Sequence, residues 1–177
     1  MMTVKTCPTL ESYKKYWWSK PRSVIYLVNA IVLTAFELIQ LAAAGIGFLL
    51  TGKGLLYIFV TVLLIAVGGG LIFYAFYMPK KLFNMSQKLC SDVTETITFG
   101  EDSFIAENVG SRINERVENM YSSITSAKFS NGWFVIICDK FRFYAFTANE
   151  FTEGSAYELC GLLSSKAGNK FKSNANG

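Results

Sequence analysis

Two long apolar runs, residues 24–50 and 55–78, constrain this chain more than anything else in it. The first is interrupted only by Asn29, Thr34, Glu37 and Gln40, and the second carries no charge at all. At about 1.5 Å per residue a helix over the first run is roughly 40 Å long, more than the ~30 Å hydrocarbon core of a bilayer. Buried helices of soluble domains rarely stay apolar beyond about 18 residues. The two runs are therefore expected to be transmembrane helices, with some tilt, joined by the break Thr51-Gly52-Lys53-Gly54. A cleaved signal sequence fits poorly. Its apolar region is about 7–15 residues long and lies near the start, whereas here the polar leader 1–22 comes first.

Basic residues set the expected orientation. Lys5, Lys14, Lys15, Lys20 and Arg22 precede the first run, Lys80, Lys81 and Lys88 follow the second, and the break holds only Lys53. Positive charge stays on the cytoplasmic side, so both termini are expected in the cytoplasm and the chain in the plasma membrane as a multi-pass protein. Trp17, Trp18, Arg22, Lys80 and Lys81 are the expected membrane-interface anchors, with Tyr16, Tyr26 and the aromatic residues of 73–77 beside them.

Glu37 falls midway along its run, where a carboxylate is costly. At 100° per residue Asn29, Gln40 and Gly47 share a stripe, with Glu37 about 60° away. Thr61 and Gly68 share a face of the second helix, next to Gly69 and Gly70. Small and polar residues of this kind let membrane helices pack closely and hydrogen-bond. Asn29, Glu37, Gln40, Thr61 and Gly68 thus form a candidate intramembrane polar site. Glu37 acts there either as a proton- or ion-responsive carboxylate or as a packing hydrogen-bond donor. With no second membrane acid and no basic partner, packing is the simpler reading.

The net charge of +4 comes from the leader, because acids and bases balance from Pro79 onward. That placement orients a membrane protein and leaves no basic face for nucleic acid. Histidine is absent, which excludes every histidine-based catalytic arrangement. Cys7, Cys90, Cys138 and Cys160 are scattered without C-x-x-C spacing, so no metal site and no cofactor is expected. No phosphate-cradling loop or G-x-S-x-G motif is present, and no enzyme is expected.

In chain order, residues 3–6 make a possible short strand, and Thr9 is a candidate N-cap for an amphipathic interfacial helix. The second membrane helix either stops near Pro79 or continues past a kink to Cys90. The period then changes to two. Strands are expected over 94–99, 104–109 and 112–118, a helical bend over 120–124, and strands over 125–129, 133–138 and 141–146. Asn131-Gly132 is the strongest hairpin turn signal, and Asp139-Lys140 marks another turn. Ser155 with Glu158 reads as a capping box opening a last helix that ends at Gly168.

The residues Phe99-Gly100-Glu101-Asp102, the bend Met120-Tyr121-Ser122-Ser123-Ile124, and the strand pair ending at Phe151 before a helix stand in a specific order after two membrane helices. In this the chain resembles, over about residues 14–166, the YcxB-like family of small bacterial membrane proteins. Where that family commonly has a Pro-Lys pair before a Phe, this chain has Thr147-Ala148-Asn149-Glu150-Phe151. The resemblance implies a cytosolic pleckstrin-homology (PH)-like barrel but no established activity. Phosphoinositide binding is not implied, because Glu101-Asp102 in the first hairpin repels phosphate.

The expected fold is an α+β membrane protein: a two-helix transmembrane hairpin, then a small antiparallel PH-like β-barrel or sheet closed by a C-terminal helix. Its expected divisions are a leader over 1–22, the hairpin over 23–78, a connector over 79–93, the PH-like domain over 94–168 and a disordered tail over 169–177. The expected function is a non-enzymatic membrane-anchored binding or adaptor module that presents this domain to a protein partner. The alternative is a membrane-embedded accessory role, as a transporter subunit or peptide-toxin immunity protein, depending on Glu37. Expected partners are the lipid bilayer and either a second copy or another membrane protein.

Overall fold

The computed structural model describes residues 1–89, 92–138 and 142–173. The expected Asp139-Lys140 turn, Cys90, and residues 174–177 of the tail lie outside the described residues. The chain divides into two compact units, Lys20–Pro79 and Met1–Ser19 with Lys80–Gly177.

The first of these is a pair of long apolar helices, α2 (Pro21–Thr51) and α3 (Leu55–Leu89), the latter continuing beyond the unit. Pro79 lies inside α3 and does not end it. A proline there removes one backbone N–H from the ladder, and the helix-compatible residues that follow carry the turn pattern onward. Both helices are long and apolar enough to cross a membrane. They are also exposed along most of their length, unlike core helices: Leu49 is 85% and Leu50 80% exposed.

The other unit is built from two sheets. Strands β1 (Met2–Thr6), β2 (Thr94–Phe99), β3 (Ser103–Val109), β4 (Asn114–Met120) and β8 (Phe151–Glu153) form one sheet in the order β4-β3-β2-β1-β8. Strands β5 (Ser126–Ser130), β6 (Trp133–Ile137), β7 (Phe143–Thr147) and β9 (Phe171–Ser173) form the other, ordered β7-β6-β5-β9. Every pairing is antiparallel except β5 with β9. The sheets do not close into a barrel. β4 and β7 are edge strands with no ladder between them. Instead the buried Asn119 amide of β4 donates to the Tyr144 hydroxyl of β7 at 3.0 Å.

The leader is not a separate segment. Met2, Val4 and Thr6 alternate inward, so β1 inserts between β2 and β8. Helix α1 (Leu10–Ser19) follows, capped reciprocally: Thr9 Oγ1 accepts from Ser12 N–H, and Ser12 Oγ accepts from Thr9 N–H. Tyr16, an expected belt residue, stacks on Phe143 with centroids 3.7 Å apart. With Val135, Ile137 and Ala145 it makes a small core on the outer face of the second sheet.

The main core lies between the sheets, where Phe99, Phe104, Phe134 and Phe146 are fully buried. Fully burying one such ring stabilises by about 1.5–3 kcal/mol. Helix α4 (Ala156–Ala167) completes this core with Leu159, Leu163 and Ala167. The expected capping box at Ser155 and Glu158 is formed in both directions. Asn131 and Gly132 both have positive φ, 52° and 74°, as the tight β5–β6 hairpin needs. The bend is a 3-10 turn at Tyr121–Ser123. The tail differs from expectation through residue 173: after a 3-10 turn, β9 pairs with β5. It finds order because the β5 edge offers unpaired backbone groups.

Candidate functional site

Protected positions on the two apolar helices recur every three and four residues. On α2 they include Ser23, Leu27, Ala30, Thr34, Glu37, Leu41, Ala44 and Phe48, and on α3 Ile58, Thr61, Ile65, Gly68, Ile72 and Ala75. This is heptad spacing, and the stripe it marks on each helix is the seam. The helices meet tightly at Gly68: a Cβ there would overlap Thr34 Oγ1, while Thr34 Cβ would lie 3.4 Å away. Thr34 and Thr61 each return their hydroxyl to the helix, donating to the carbonyls of Ala30 and Tyr57.

The sequence-derived polar residues divide on this seam. Thr61 and Gly68 are buried on it, Glu37 is half-buried on it, and Gln40 flanks it, accepting from the Tyr57 hydroxyl at 2.7 Å. Asn29 is exposed and does not join them. A straight helix puts residues eleven apart within about 20° of each other, but on a seam of 3.5 residues per turn they diverge by roughly 50°. Glu37 takes a heptad position that is otherwise Ser23, Ala30 or Ala44. The Gln40–Tyr57 and Thr34–Gly68 contacts put it level with Thr61 and Ile65.

Among the expected anchors, Arg22, Lys80 and Lys81 are exposed. Trp18 lines a shallow recess with Lys15, Lys128 and Trp133, and the Lys15 ammonium lies 5.8 Å from the Trp133 ring centroid. Trp17 departs from an anchor's geometry. Its indole nitrogen is buried and has no hydrogen-bond partner among the described residues.

A third group lies in the two-sheet unit and is not evident from motifs. The inner face of the larger sheet is built in cross-strand rows. Met2, Phe99, Phe104 and Asn119 form one, and Val4, Ile97, Ala106 and Val117 the next. The third row is polar throughout: Thr6, Glu95, Asn108 and Glu115. There the sheet opens into a cleft of about 270 Å³, bounded on its other sides by Tyr13 of α1 and by Arg142, Phe143 and Tyr144 at β7.

Thr6 is satisfied, its hydroxyl bonded to Glu150 at 2.7 Å. Glu95 has no hydrogen bond or ion pair among the described residues, and burial alone pushes its carboxyl up to about 7. The Tyr144 hydroxyl is pushed up to about 12, first by burial. Asn119's hydrogen bond opposes that shift, and the charges of Glu95 and Arg142 both reach the same hydroxyl. The cleft therefore combines a half-buried carboxyl with no counter-charge paired to it among the described residues, aromatic walls, and the exposed Glu115 and Arg142 in its lining. The available signal was parity. Glu95 shares the inward phase of Ile97 and Phe99, and Asn108 that of Phe104 and Ala106.

Among the described residues no group of His, Cys, Asp or Glu has the arrangement to hold a metal ion. Cys138 is buried, and burial raises the pKa of the Cys160 thiol. Comparison with family models, with curated proteins and with solved structures gave no match.

Proposed function

We propose that this chain is a membrane-anchored, non-enzymatic binding module. In this reading α2 and α3 form a transmembrane hairpin in the plasma membrane, and the two-sheet unit is a PH-like domain offered in the cytoplasm to a protein partner. One observation carries the proposal: an exposed apolar helix pair is inserted between two parts of a single folded sheet. Strand β1 precedes the helices and β2 and β8 follow them, yet all three are neighbours in one ladder. A chain that crosses a bilayer and still forms that ladder must return to the side it left. The basic residues flanking the pair favour the cytoplasm as that side, and the order of elements agrees with the YcxB-like resemblance.

Crosslinking in intact cells, followed by purification in mild detergent and mass spectrometry, tests the proposal. A discrete protein partner recovered with wild type and lost when exposed residues of the two-sheet unit are substituted supports it. Recovery of the chain in the soluble fraction after lysis overturns the anchoring. A second reading, an accessory role within the membrane, draws on Glu37 occupying a seam position otherwise held by small residues. Under that reading Glu37→Gln loses the partner while the substituted two-sheet unit keeps it.

A further inference from the structure

We propose that the cleft at the polar row of the larger sheet is a binding site for a small organic ammonium ion, held by Glu95. The inference does not depend on membrane anchoring, and its failure would leave that reading untouched.

The sheet itself argues that the row is not a folding device. Two successive rows of its inner face are largely apolar, and alternation would continue that pattern into the third. Instead three neighbouring strands contribute Glu95, Asn108 and Glu115 at one register level. Placing a carboxyl at an inward position costs stability unless it is paired. Glu95 is unpaired among the described residues, and its raised proton affinity has desolvation as its cause with no offsetting cation. Arg142 is close enough to act on Tyr144, but it leaves Glu95 uncompensated. Among the described residues no cation pairs with Glu95.

The remaining walls suit an organic cation better than a bare metal ion. Tyr13 and Phe143 meet edge to face with centroids 5.1 Å apart, and both rings border the cleft. Such apolar ring walls suit the hydrocarbon part of a weakly hydrated organic cation better than a strongly hydrated ion. Glu115 lies two strands from Glu95, about 10 Å away at ordinary strand spacing, and adds negative charge to the lining. The cleft of about 270 Å³ is comparable to roughly nine water volumes, enough for a short alkylammonium chain. Arg142, which also lines the cleft, disfavours a second cationic group near it.

Binding is linked to protons. The ammonium pairs with ionised Glu95, so below pH 7 complex formation must release a proton. Among the described residues the other charged or titratable groups lining the cleft are Glu115, Arg142, Tyr13 and Tyr144. Glu115 and Arg142 are exposed, and Tyr144 stays protonated throughout the range.

The test is calorimetric titration of the full chain in neutral maltoside micelles with n-butylammonium chloride. Sodium butyrate and sodium chloride at matched ionic strength serve as controls. Saturable butylammonium binding is expected at pH 8, weakening about tenfold per pH unit below 7. Glu95→Gln should weaken it by about tenfold or more at pH 8 and remove its pH dependence. Glu115→Gln should weaken it less and keep the pH dependence. Thermal melting of each variant separates loss of the site from loss of the fold. No saturable binding by wild type, equal binding by a folded Glu95→Gln variant, or equal heats from sodium chloride would overturn the proposal.

Discussion

At the scale of single residues, Glu95 has the clearest thermodynamic signature. Burial pushes its carboxyl from the ordinary 4.5 up to about 7. Between those values the folded chain binds more protons than the unfolded chain, so stability falls as pH rises through the window. The penalty is absent below about pH 4.5 and complete above about pH 7. Glu95→Gln removes the ionisation and keeps the shape. Its melting temperature should exceed that of wild type at pH 8, with a smaller difference at pH 5. Parallel pH profiles for the two proteins, measured by thermal melting in detergent, would rule this account out. Asn119 has a different role at the same scale. Its amide donates to Tyr144 across the gap between β4 and β7, a side-chain link where the sheets have no backbone ladder.

Among the elements, the α2–α3 pair shows how a thin interface is specified. Half of the protected positions named on it are small, and Thr34 leaves no room for a Cβ at Gly68. Gly68→Ala drives a methyl into Thr34 Oγ1 and should destabilise the pair by about 1–3 kcal/mol, the usual cost of overpacking. Thr34→Ala removes that oxygen and leaves a Cβ at ordinary contact distance. The double variant should therefore recover most of the loss, as a double-mutant cycle in an SDS titration of the full chain would show. Additive losses would mean that the helices do not meet at this pair. The helices were legible in the sequence because length and apolarity suffice to identify them. The seam was read only in part: Thr61 and Gly68 lie on it, but a straight-helix projection puts Asn29 with Gln40, whereas Asn29 is exposed and Gln40 flanks the seam. Most strands were legible for a similar reason. Their period of two is local, as is the Asn131-Gly132 turn. The third row of the larger sheet was not, because it exists only once the register of four strands is set. No window of sequence places Thr6 beside Glu95, or Glu95 two strands from Glu115.

For the whole molecule, the decisive fact is that the first strand and the last lie in different sheets of one folded unit. β1 sits between β2 and β8, and β9 lies on the edge of β5. A leader with a separate interfacial helix was the natural reading of residues 1–22, since nothing local marks Val4 as the partner of Ile97. The consequence is that the region after the helices does not contain its own complete core. A fragment beginning at residue 92 loses Met2 and Val4 from between the sheets, and it opens the facing edges of β2 and β8. It also uncovers Phe143, Val135 and Ala145, which Tyr16 covers in the intact chain. Exposed strand edges pair with other chains, so this fragment should melt without a cooperative transition and aggregate. Joining residues 1–19 to its N-terminus through a flexible Gly/Ser linker in place of the helices restores both the strand and the covering helix. That fusion should melt cooperatively and protect the amides of β1 and β2 from hydrogen exchange. Val4→Asp within it should abolish both, because an unpaired charge would replace a fully buried side chain. Cooperative folding of the fragment without residues 1–19 would show that β1 is an accessory to the sheet and not a component the fold requires.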